Sequence, residues 1–551
     1  MEQAYTGSPI QELYRFRNAI NGPEDIVIPE KPENRRVTDK TYTITFIVIA
    51  LILVCFIGYT FIKADLRTLM GYDSCGNFCG YKNEKYDEWS CTGKDYTNEK
   101  YLKIIDRTYN TPEERFCLAH CPPPSAEYSC ADNTVDPDDD IIAGWWVVLL
   151  SLIICCGLCL GTILLFKYAV ATLVWSLLIG GLSVLAIAAL ACWITYFKEN
   201  GDPYYENTAH GYLSLAILLT FFVIIMGLFL TCFIKRVKLI IQLFEEAAKA
   251  VFEIPGLIYL PIMTFVAATI SVVIFLTLIT YMSAARTLVE VSSSMPIELA
   301  YEINGAMIFA IILNCFVFIW IWVFMTGAQY MIIAGAIASW FFTRNKSNLG
   351  RPLWISFMVF VKFHLGTVFI GSLIIAVVMC IKAILKAMTN RKTRWIINCC
   401  CNPLIEFLKL FSKNSYIQTA MHGQPFFKSG RRALQLLVSN AENVIAINSI
   451  GDFVLAMAQI LLIIVGTAIA CLIAKATGNE QWAIIGSLCF CLITYMVISF
   501  FGIFEATIDS IFMCFCEDSL LNDGMARPYF MSKELRKIIE KSKGLVPDKK
   551  N

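Results

Sequence analysis

The sequence predicts an all-α polytopic membrane protein, and its composition and patterning each support that prediction. Of its 551 residues, 57% are hydrophobic and only 16% are charged, whereas a soluble chain carries about 25% charged residues. The apolar residues fall into long runs, and roughly 20 apolar residues are enough for a helix to span a bilayer. The net charge of +1 and the lack of a basic stripe argue against a nucleic-acid partner.

About ten transmembrane helices are expected from these runs. The first is 43–62, and the polar segment before it, 1–42, is too long for the start of a cleavable signal peptide. The runs of the core, 143–513, are approximately 143–166, 168–196, 211–234, 257–282, 303–326, 327–342, 354–381, 451–474 and 482–513. A polar tail, 514–551, follows the last run.

The basic residues near the runs predict the orientation, because cytoplasmic loops carry an excess of Lys and Arg. Such clusters follow the fourth, eighth and last runs, at 235–238, 382–394 and 527–537. Ten spans and a cytosolic N-terminus place all three clusters and the C-terminus in the cytosol. The basic loop 343–351 does not fit, and a re-entrant 327–342 is the alternative. Two amphipathic stretches, 236–252 and 395–447, are expected on the cytosolic side, either lying on the inner leaflet or packed on neighbouring helices.

The middle of the chain carries the clearest sign of a transport pathway. The apolar run 304–325 is interrupted by the small and polar residues of 326–330 and then resumes up to Phe342. Interrupted helices in transporters often mark the substrate site near the bilayer midplane. The sequence therefore predicts a broken helix here, with the pathway beside it.

The loop after the first span, 63–142, is expected to be extracellular and stapled by disulfides. Six of the 22 cysteines lie in it: Cys75, Cys79, Cys91, Cys117, Cys121 and Cys130. An even number of cysteines outside the cell favours three disulfides, and the sequence alone does not choose among the pairings. A metal site at the two C-x-x-x-C spacings is the alternative, but His120 is the only histidine nearby, so no metal is predicted.

Several motifs, in order along most of the chain, resemble the choline transporter-like family (solute carrier family 44). The matching stretches are 64–80 (ADLRTLMGYDSCGNFCG), 117–122, 245–261, 334–340, 364–373, 431–433, 516–524 and 527–531. The resemblance implies ten spans, cytosolic termini, a disulfide-bearing first external loop and uptake of choline. It suggests ethanolamine or thiamine pyrophosphate for some members. The plasma membrane is the default location, with a mitochondrial or lysosomal membrane as the alternative.

The chain also departs from the family pattern. Cys75 lies inside the first motif, where the family does not usually have a cysteine. The external loop lacks the glycosylation sequons that are common there in the family, and Asn345 is the only sequon asparagine of the chain. Asn345 is therefore the one glycosylation candidate.

Choline is a quaternary ammonium ion, and its recognition relies on aromatic faces and nearby carboxylates. Four aromatic residues flank the predicted break: Trp320, Trp322, Tyr330 and Trp340. Each has the alternative of facing lipid or of simple packing. Glu505 and Asp509 lie four residues apart in the last run, on one helix face, and acids within a membrane usually mark substrate or ion paths. The alternative for Glu505 is a structural pair with a base, and for Asp509 an interfacial position.

These observations favour a facilitative or proton-linked transporter of choline or a related organic cation. The sequence has no G-x-x-x-x-G-K-[ST] motif, so ATP-driven pumping and a nucleotide cofactor are not expected. A channel-like permease, a transporter of another solute and a surface protein that acts through its external loop are the alternatives. No catalytic constellation is recognised, and an enzyme is not expected.

Overall fold

The computed structural model describes residues 28–86, 88–105, 114–123, 128–132, 144–199, 206–292, 298–390, 394–440, 450–478, 481–522, 527–533 and 536. Residues 1–27 of the predicted N-terminal segment, 441–447 of the predicted amphipathic stretch and most of the tail lie outside these ranges. The helices are α1 Lys40–Lys63, α2 Trp145–Tyr168, α3 Val170–Glu199, α4 Glu206–Glu253, α5 Gly256–Ala284, α6 Gly305–Phe341, α7 Pro352–Val359, α8 Leu365–Met388, α9 Arg394–His422, α10 Phe426–Ser439, α11 Asp452–Ala476 and α12 Trp482–Leu521. The strands are β1 Tyr101–Ile105, β2 Glu114–Leu118, β3 Tyr128–Asp132, β4 Arg286–Ser292 and β5 Glu298–Ile303.

The predicted fold class is confirmed. Within the described residues, nine helical segments are long and apolar enough to cross a membrane. They are α1, α2, α3, the Thr208–Leu228 part of α4, α5, α6, the Pro352–Met388 segment made of α7 and α8, α11 and α12. The remainder of α4 contains the predicted amphipathic stretch 236–252. Its apolar face is buried, with Phe244 packed 5.4 Å from both Phe166 and Phe504 between ring centroids.

The predicted break at 326–330 is wrong, because α6 is one continuous helix of 37 residues. Its small residues serve close packing instead of interrupting the helix. A Cβ atom on Gly327 would lie 2.9 Å from both Val368 of α8 and Tyr416 of α9. Small residues at such contacts let helix backbones approach closely in a membrane protein. At about 1.5 Å per residue, α6 is longer than the bilayer core is thick.

The irregular backbone lies in the next element of the chain. Between α7 and α8, residues Phe360–His364 form a π-helical turn. Such a turn frees carbonyl groups, and buried carbonyls need partners. The Phe363 carbonyl accepts hydrogen bonds from the Thr38 amide at 2.9 Å and from the Thr38 hydroxyl at 3.2 Å. The turn therefore forms a docking point for the chain just before α1.

Of the two expectations for the amphipathic stretch 395–447, packing on neighbouring helices describes α9, and a position on the inner leaflet does not. Helix α9 runs antiparallel to α8: Lys382 of α8 donates to Asn402 near one end of the pair, and Gly371 faces Tyr416 further along. The half of α9 that ends at His422 is almost fully enclosed, and its buried residues include Ser415, Gln418 and Thr419. Low hydropathy conceals this helix because its polar face points into the bundle. Among the residues that the structure describes, α9 and the nine apolar segments together make ten helical passages along the bundle.

One end of the bundle carries the disulfide-bonded segment and is here called the disulfide end. The predicted disulfides are confirmed and pair as Cys75–Cys91, Cys79–Cys117 and Cys121–Cys130. A sheet in the order β2-β1-β3 and the hairpin β4–β5 lie at this end. The segment is docked on the hairpin, since the Leu299 amide donates to the Ser74 carbonyl at 2.9 Å and Tyr301 stacks on Phe78 at 5.3 Å.

The end of the bundle away from the disulfides is here called the opposite end. There, residues 28–39 form an N-terminal strap across α6, α8 and α9. Buried Arg35 donates to the Ala420 carbonyl at 2.6 Å and to the Thr419 carbonyl at 3.4 Å, both in the last turn of α9. Its guanidinium also lies 3.0 Å from Nε2 of His364. Since arginine only donates, Nε2 accepts and the proton of the neutral ring is on Nδ1. Burial lowers the pKa of Arg35 to about 10, partly offset by Glu30, so Arg35 stays charged at neutral pH beside the negative end of α9.

A buried ion pair also holds the opposite end together. Glu517 of α12 has a side chain 0% exposed, and it accepts from Arg432 of α10 at 2.7 and 2.8 Å. His422 at 3.2 Å and Gln418 at 3.0 Å contact the same carboxylate. The next residue, Asp518, accepts from the Phe530 and Met531 amides, each at 2.9 Å. Glu517 and Asp518 thus form a latch that joins α9, α10 and α12 to residues 530 and 531 of the tail.

We expect Gly366→Ala to release the strap. An added Cβ would lie 2.2 Å from the Asp39 carbonyl oxygen, and overpacking of this kind costs about 1–3 kcal/mol. The thermal midpoint of the purified protein in detergent should fall. Gly180→Ala is the control, because nothing lies within 4 Å of its Cβ position. Equal midpoints for both variants would contradict the close fit.

We expect Glu517→Gln to destabilise the protein by about 3–5 kcal/mol, because it removes the charge that balances Arg432 in a buried site. The measurement is chemical unfolding in detergent, together with the amount of protein that reaches the cell surface. Glu406→Gln is the matched control, since the Glu406–Lys409 pair is exposed and such pairs contribute about 0–1 kcal/mol. A variant as stable as the control would show that the latch is dispensable.

Candidate cation site

Four side chains from three helices meet in the half of the bundle that is farther from the disulfide end. Lys413 of α9 forms an ion pair with Glu505 of α12. The Lys413 ammonium also lies over the ring of Tyr330 of α6, with Nζ 4.9 Å from the ring centroid. The Tyr330 hydroxyl donates to Asp509, one helical turn beyond Glu505, at 3.4 Å. This group is here called the cation cluster.

The packing of the three helices explains why these residues meet. Glu505 and Asp509 are four residues apart and therefore share one face of α12. Gly327 brings α6 against α9 at Tyr416, which is one turn from Lys413. The close approach lets the lysine side chain reach across to the Tyr330 ring.

The cluster combines one enclosed group with an accessible ion pair. Tyr330 is 4% exposed, whereas the Lys413 and Glu505 side chains are 29% and 31% exposed. Two carboxylates, Glu505 and Asp509, stand against the single ammonium of Lys413. Uncompensated charge is costly in a partly buried site, so a further cation or a proton would stabilise this arrangement.

Aromatic rings continue from the cluster toward the disulfide end. Trp322, two turns before Tyr330 on α6, lies 5.0 Å from Tyr495 of α12 between ring centroids. Phe265 of α5 stacks on Tyr495 at 5.6 Å, and Phe318 lies 6.0 Å from Trp322. By helical rise, Trp322 is about 12 Å above Tyr330. The rings thus line the α5–α6–α12 contact on the way to the cluster.

The structure brings together three of the predicted site residues, Tyr330, Glu505 and Asp509, and places Trp322 nearby. It separates the other two. Trp320 is fully buried and donates to the Phe369 carbonyl at 3.2 Å and to Ser372 at 3.0 Å, so it packs α6 on α8. Trp340 lies about 15 Å beyond Tyr330 along α6.

Trp340 has its own partners at the opposite end. Its indole nitrogen donates to Glu253 at 2.6 Å, and the Lys346 ammonium lies 4.2 Å from its ring centroid. Asn345, the glycosylation candidate, precedes this lysine. Its side-chain oxygen caps a short 3₁₀ turn by accepting from the Ser347 amide at 3.1 Å. Asn345 and the disulfides are therefore at opposite ends of the bundle.

Sequence reasoning missed Lys413 and Tyr495. Lys413 lies in the part of α9 with alternating polar residues, FSKNSYIQT, and such polarity could have been recognised as a face turned into the bundle. Tyr495 carried no signal beyond its position ten residues before Glu505. Within the described chain, no three His, Cys, Asp or Glu side chains are grouped so that they could hold a metal ion.

Comparison with known proteins identifies the family. Residues 217–520 match the family model described as plasma-membrane choline transporter. Choline transporter-like protein 1 of Rattus norvegicus is 27% identical, over 93% of each chain. Choline transporter-like protein 1 of Torpedo marmorata is 27% identical, over 93% of this chain and 94% of the relative. Choline transporter-like protein 3 of Homo sapiens is 26% identical, over 93% and 92%.

The matched region covers more than half of the 551 residues. It contains all of α5 to α11 and α12 up to residue 520. Every member of the cation cluster and the ring pair Trp322–Tyr495 therefore lie within it. The resemblance found in the sequence motifs is confirmed. The chain belongs to the plasma-membrane choline transporter family.

Proposed function

We propose that the protein carries choline or a closely related organic cation across the membrane and that the cation cluster is part of its binding site. The observation that carries this proposal is the pairing of an aromatic face, Tyr330, with the carboxylates Glu505 and Asp509 inside a membrane bundle. Membership of the family and the names of the relatives support it.

The chemistry of the cluster suits a quaternary ammonium. Such an ion cannot donate a hydrogen bond from nitrogen, so it is held by ring faces and by charge. A ring within about 6 Å contributes roughly 0.5–2 kcal/mol, more where water is excluded. Trp322 and Tyr495 offer further ring faces on the side of the disulfide end. We infer that the cation approaches along these rings and reaches Tyr330 last.

The helices are closely packed at the opposite end. This packing favours a carrier with alternating access and argues against an open channel. Between Tyr330 and Phe341, nearly all of α6 is buried by α7, α9, α12 and the strap. A cation in the cluster could leave toward this end only if these contacts part. A cavity of about 140 Å³ lies between the strap and α6–α7, which gives the strap room to shift.

We infer that the disulfide end is extracellular and that the opposite end is cytosolic, because disulfides persist in oxidising compartments. With ten passages and the disulfide end outside, the strap and residues 527–533 would lie on the cytosolic side. Asn345 would also be cytosolic, which argues against glycosylation there, since N-glycans belong to the secretory side. The basic segment 382–394, which the sequence predicts in the cytosol, would then be extracellular. Of the three basic clusters, only those at 235–238 and 527–537 would agree with this orientation.

Charge also bears on the alternative substrates. Ethanolamine carries a primary ammonium that could donate to Glu505 and Asp509, so the cluster admits it. Thiamine pyrophosphate carries a diphosphate, which two carboxylates would repel. A surface protein that acts only through its external loop would leave the cluster without a role, and uptake would then be absent.

We expect Glu505→Gln to lower saturable choline uptake about tenfold or more, as the loss of one direct charge contact of roughly 1.4 kcal/mol or more would do. The assay is labelled choline uptake into proteoliposomes, corrected for protein amount. Glu406→Gln is the control, because Glu406 is exposed on α9. Saturable uptake equal to that of the control would remove Glu505 from the mechanism.

We expect Tyr330→Leu to weaken choline uptake more than Tyr330→Phe does, because phenylalanine keeps the ring face and leucine does not. The loss in kcat/KM for leucine relative to phenylalanine should be about 3- to 30-fold, the equivalent of one cation–π contact. If the two variants were equally impaired, the hydroxyl contact with Asp509, and not the ring, would be what matters.

A further inference from the structure

We propose that Lys413 is a tethered cation: its ammonium occupies the position of the substrate's ammonium when the carrier is empty, and substrate binding displaces it. This inference rests on the proposed function and names a mechanism for the same site.

The first support is that Lys413 already makes the two contacts that an organic cation needs. Its ammonium lies over the Tyr330 ring, 4.9 Å from the centroid, and is paired with Glu505. A cation bound to a ring lies within about 6 Å of its centroid. The ammonium of Lys413 and that of a substrate therefore cannot occupy this face of Tyr330 together.

The second support is the contrast with the structural ion pair of the same bundle. Arg432 grips Glu517 through two nitrogens, and the carboxylate has 0% exposure and further contacts from His422 and Gln418. The Lys413–Glu505 pair has a single nitrogen, and about a third of each side chain is exposed. A flexible, partly open lysine can be exchanged, whereas the enclosed arginine cannot.

The third support is the charge balance of the cluster. Without a substrate, the Lys413 ammonium lowers the net negative charge from the two carboxylates before the bundle closes around them. When a substrate cation binds, its positive charge neutralises the carboxylates in place of Lys413, and the lysine ammonium moves off the Tyr330 ring. The cluster is thus never closed with both carboxylates uncompensated, a state that burial strongly disfavours.

This mechanism predicts opposite effects on binding and on net transport when Lys413 loses its charge. Lys413→Gln removes the competitor, so choline should bind more tightly. The empty carrier then closes on two uncompensated carboxylates, so its return should slow. Exchange of choline for choline does not use the empty return step and should continue.

The experiment uses the full-length protein in proteoliposomes and compares wild type, Lys413→Gln and Lys413→Arg. Lys409→Gln is the control, one turn away on the exposed face. For Lys413→Gln we expect choline binding about fivefold tighter, as the loss of one like charge near 4 Å in a wet site would produce. Net uptake should fall about tenfold while exchange stays within about twofold. Lys413→Arg should keep net uptake above that of Lys413→Gln.

A second measurement uses only the wild type and does not depend on the folding of a variant. Reductive methylation of lysines, measured by mass spectrometry, should modify Lys413 faster when choline or tetramethylammonium is present, while Lys409 is unaffected. Unchanged methylation of Lys413 by a protein that binds choline would overturn the tethered-cation mechanism and leave the proposed function standing. So would a Lys413→Gln variant whose binding is not tighter and whose exchange and net uptake fall together.

A different result would overturn both proposals. If folded wild-type protein neither binds nor carries choline or tetramethylammonium, the cluster is not a site for organic cations. The Lys413–Glu505 pair is then a structural contact, and Lys413→Gln should lower the thermal midpoint without any change in ligand binding.

Discussion

The enclosure of a polar helix within apolar ones is the constraint on which this structure depends. Lipid offers no hydrogen bonds, so the polar side chains of α9 face the bundle, where neighbouring elements supply partners. Gln418 donates a hydrogen bond to Glu517, and Lys413 forms an ion pair with Glu505. Carbonyl groups in the last turn of α9 accept hydrogen bonds from Arg35. These contacts hold α12 and the strap around α9, and the Thr419 hydroxyl, 3.0 Å from that of Ser429, joins α10. The contact at Lys413 differs from the others in that about a third of both side chains is exposed.

The sequence was sufficient for the fold class and for selecting three of the residues that meet in the cation cluster, but not for the route of the chain. Runs of apolar residues mark a span by composition alone, and nine of the ten passages are visible that way. Helix α9 is not, because its partners are distant in sequence. The same limit explains the wrong break at 326–330: glycine and alanine are equally suited to an interruption and to close packing, and only Val368 and Tyr416 decide between them.

The site residues divide in a similar way. Glu505 and Asp509 could be chosen because acids within a membrane are rare and their spacing fixes a common face. Tryptophans are common in membrane helices and carry less information. Trp320 and Trp322 are two residues apart, and the first is locked by Phe369 and Ser372 while the second reaches Tyr495. Which of them faces a pathway depends on the rotation of α6, and its own sequence does not specify that rotation.

The two ion pairs of the bundle also suggest how closure and binding are coupled. Glu505 and Glu517 lie on α12 twelve residues apart, about 18 Å by helical rise, and both are paired with bases carried by α9 or by α10, which follows it. A shift of α9 relative to α12 would therefore strain both pairs together. The strap contacts the last turn of α9 as well, so release of the opposite end and rearrangement at Lys413 would involve the same helix. In the proposed carrier, the accessible Lys413–Glu505 pair would respond to a ligand, while the enclosed Arg432–Glu517 pair would set the resistance to opening.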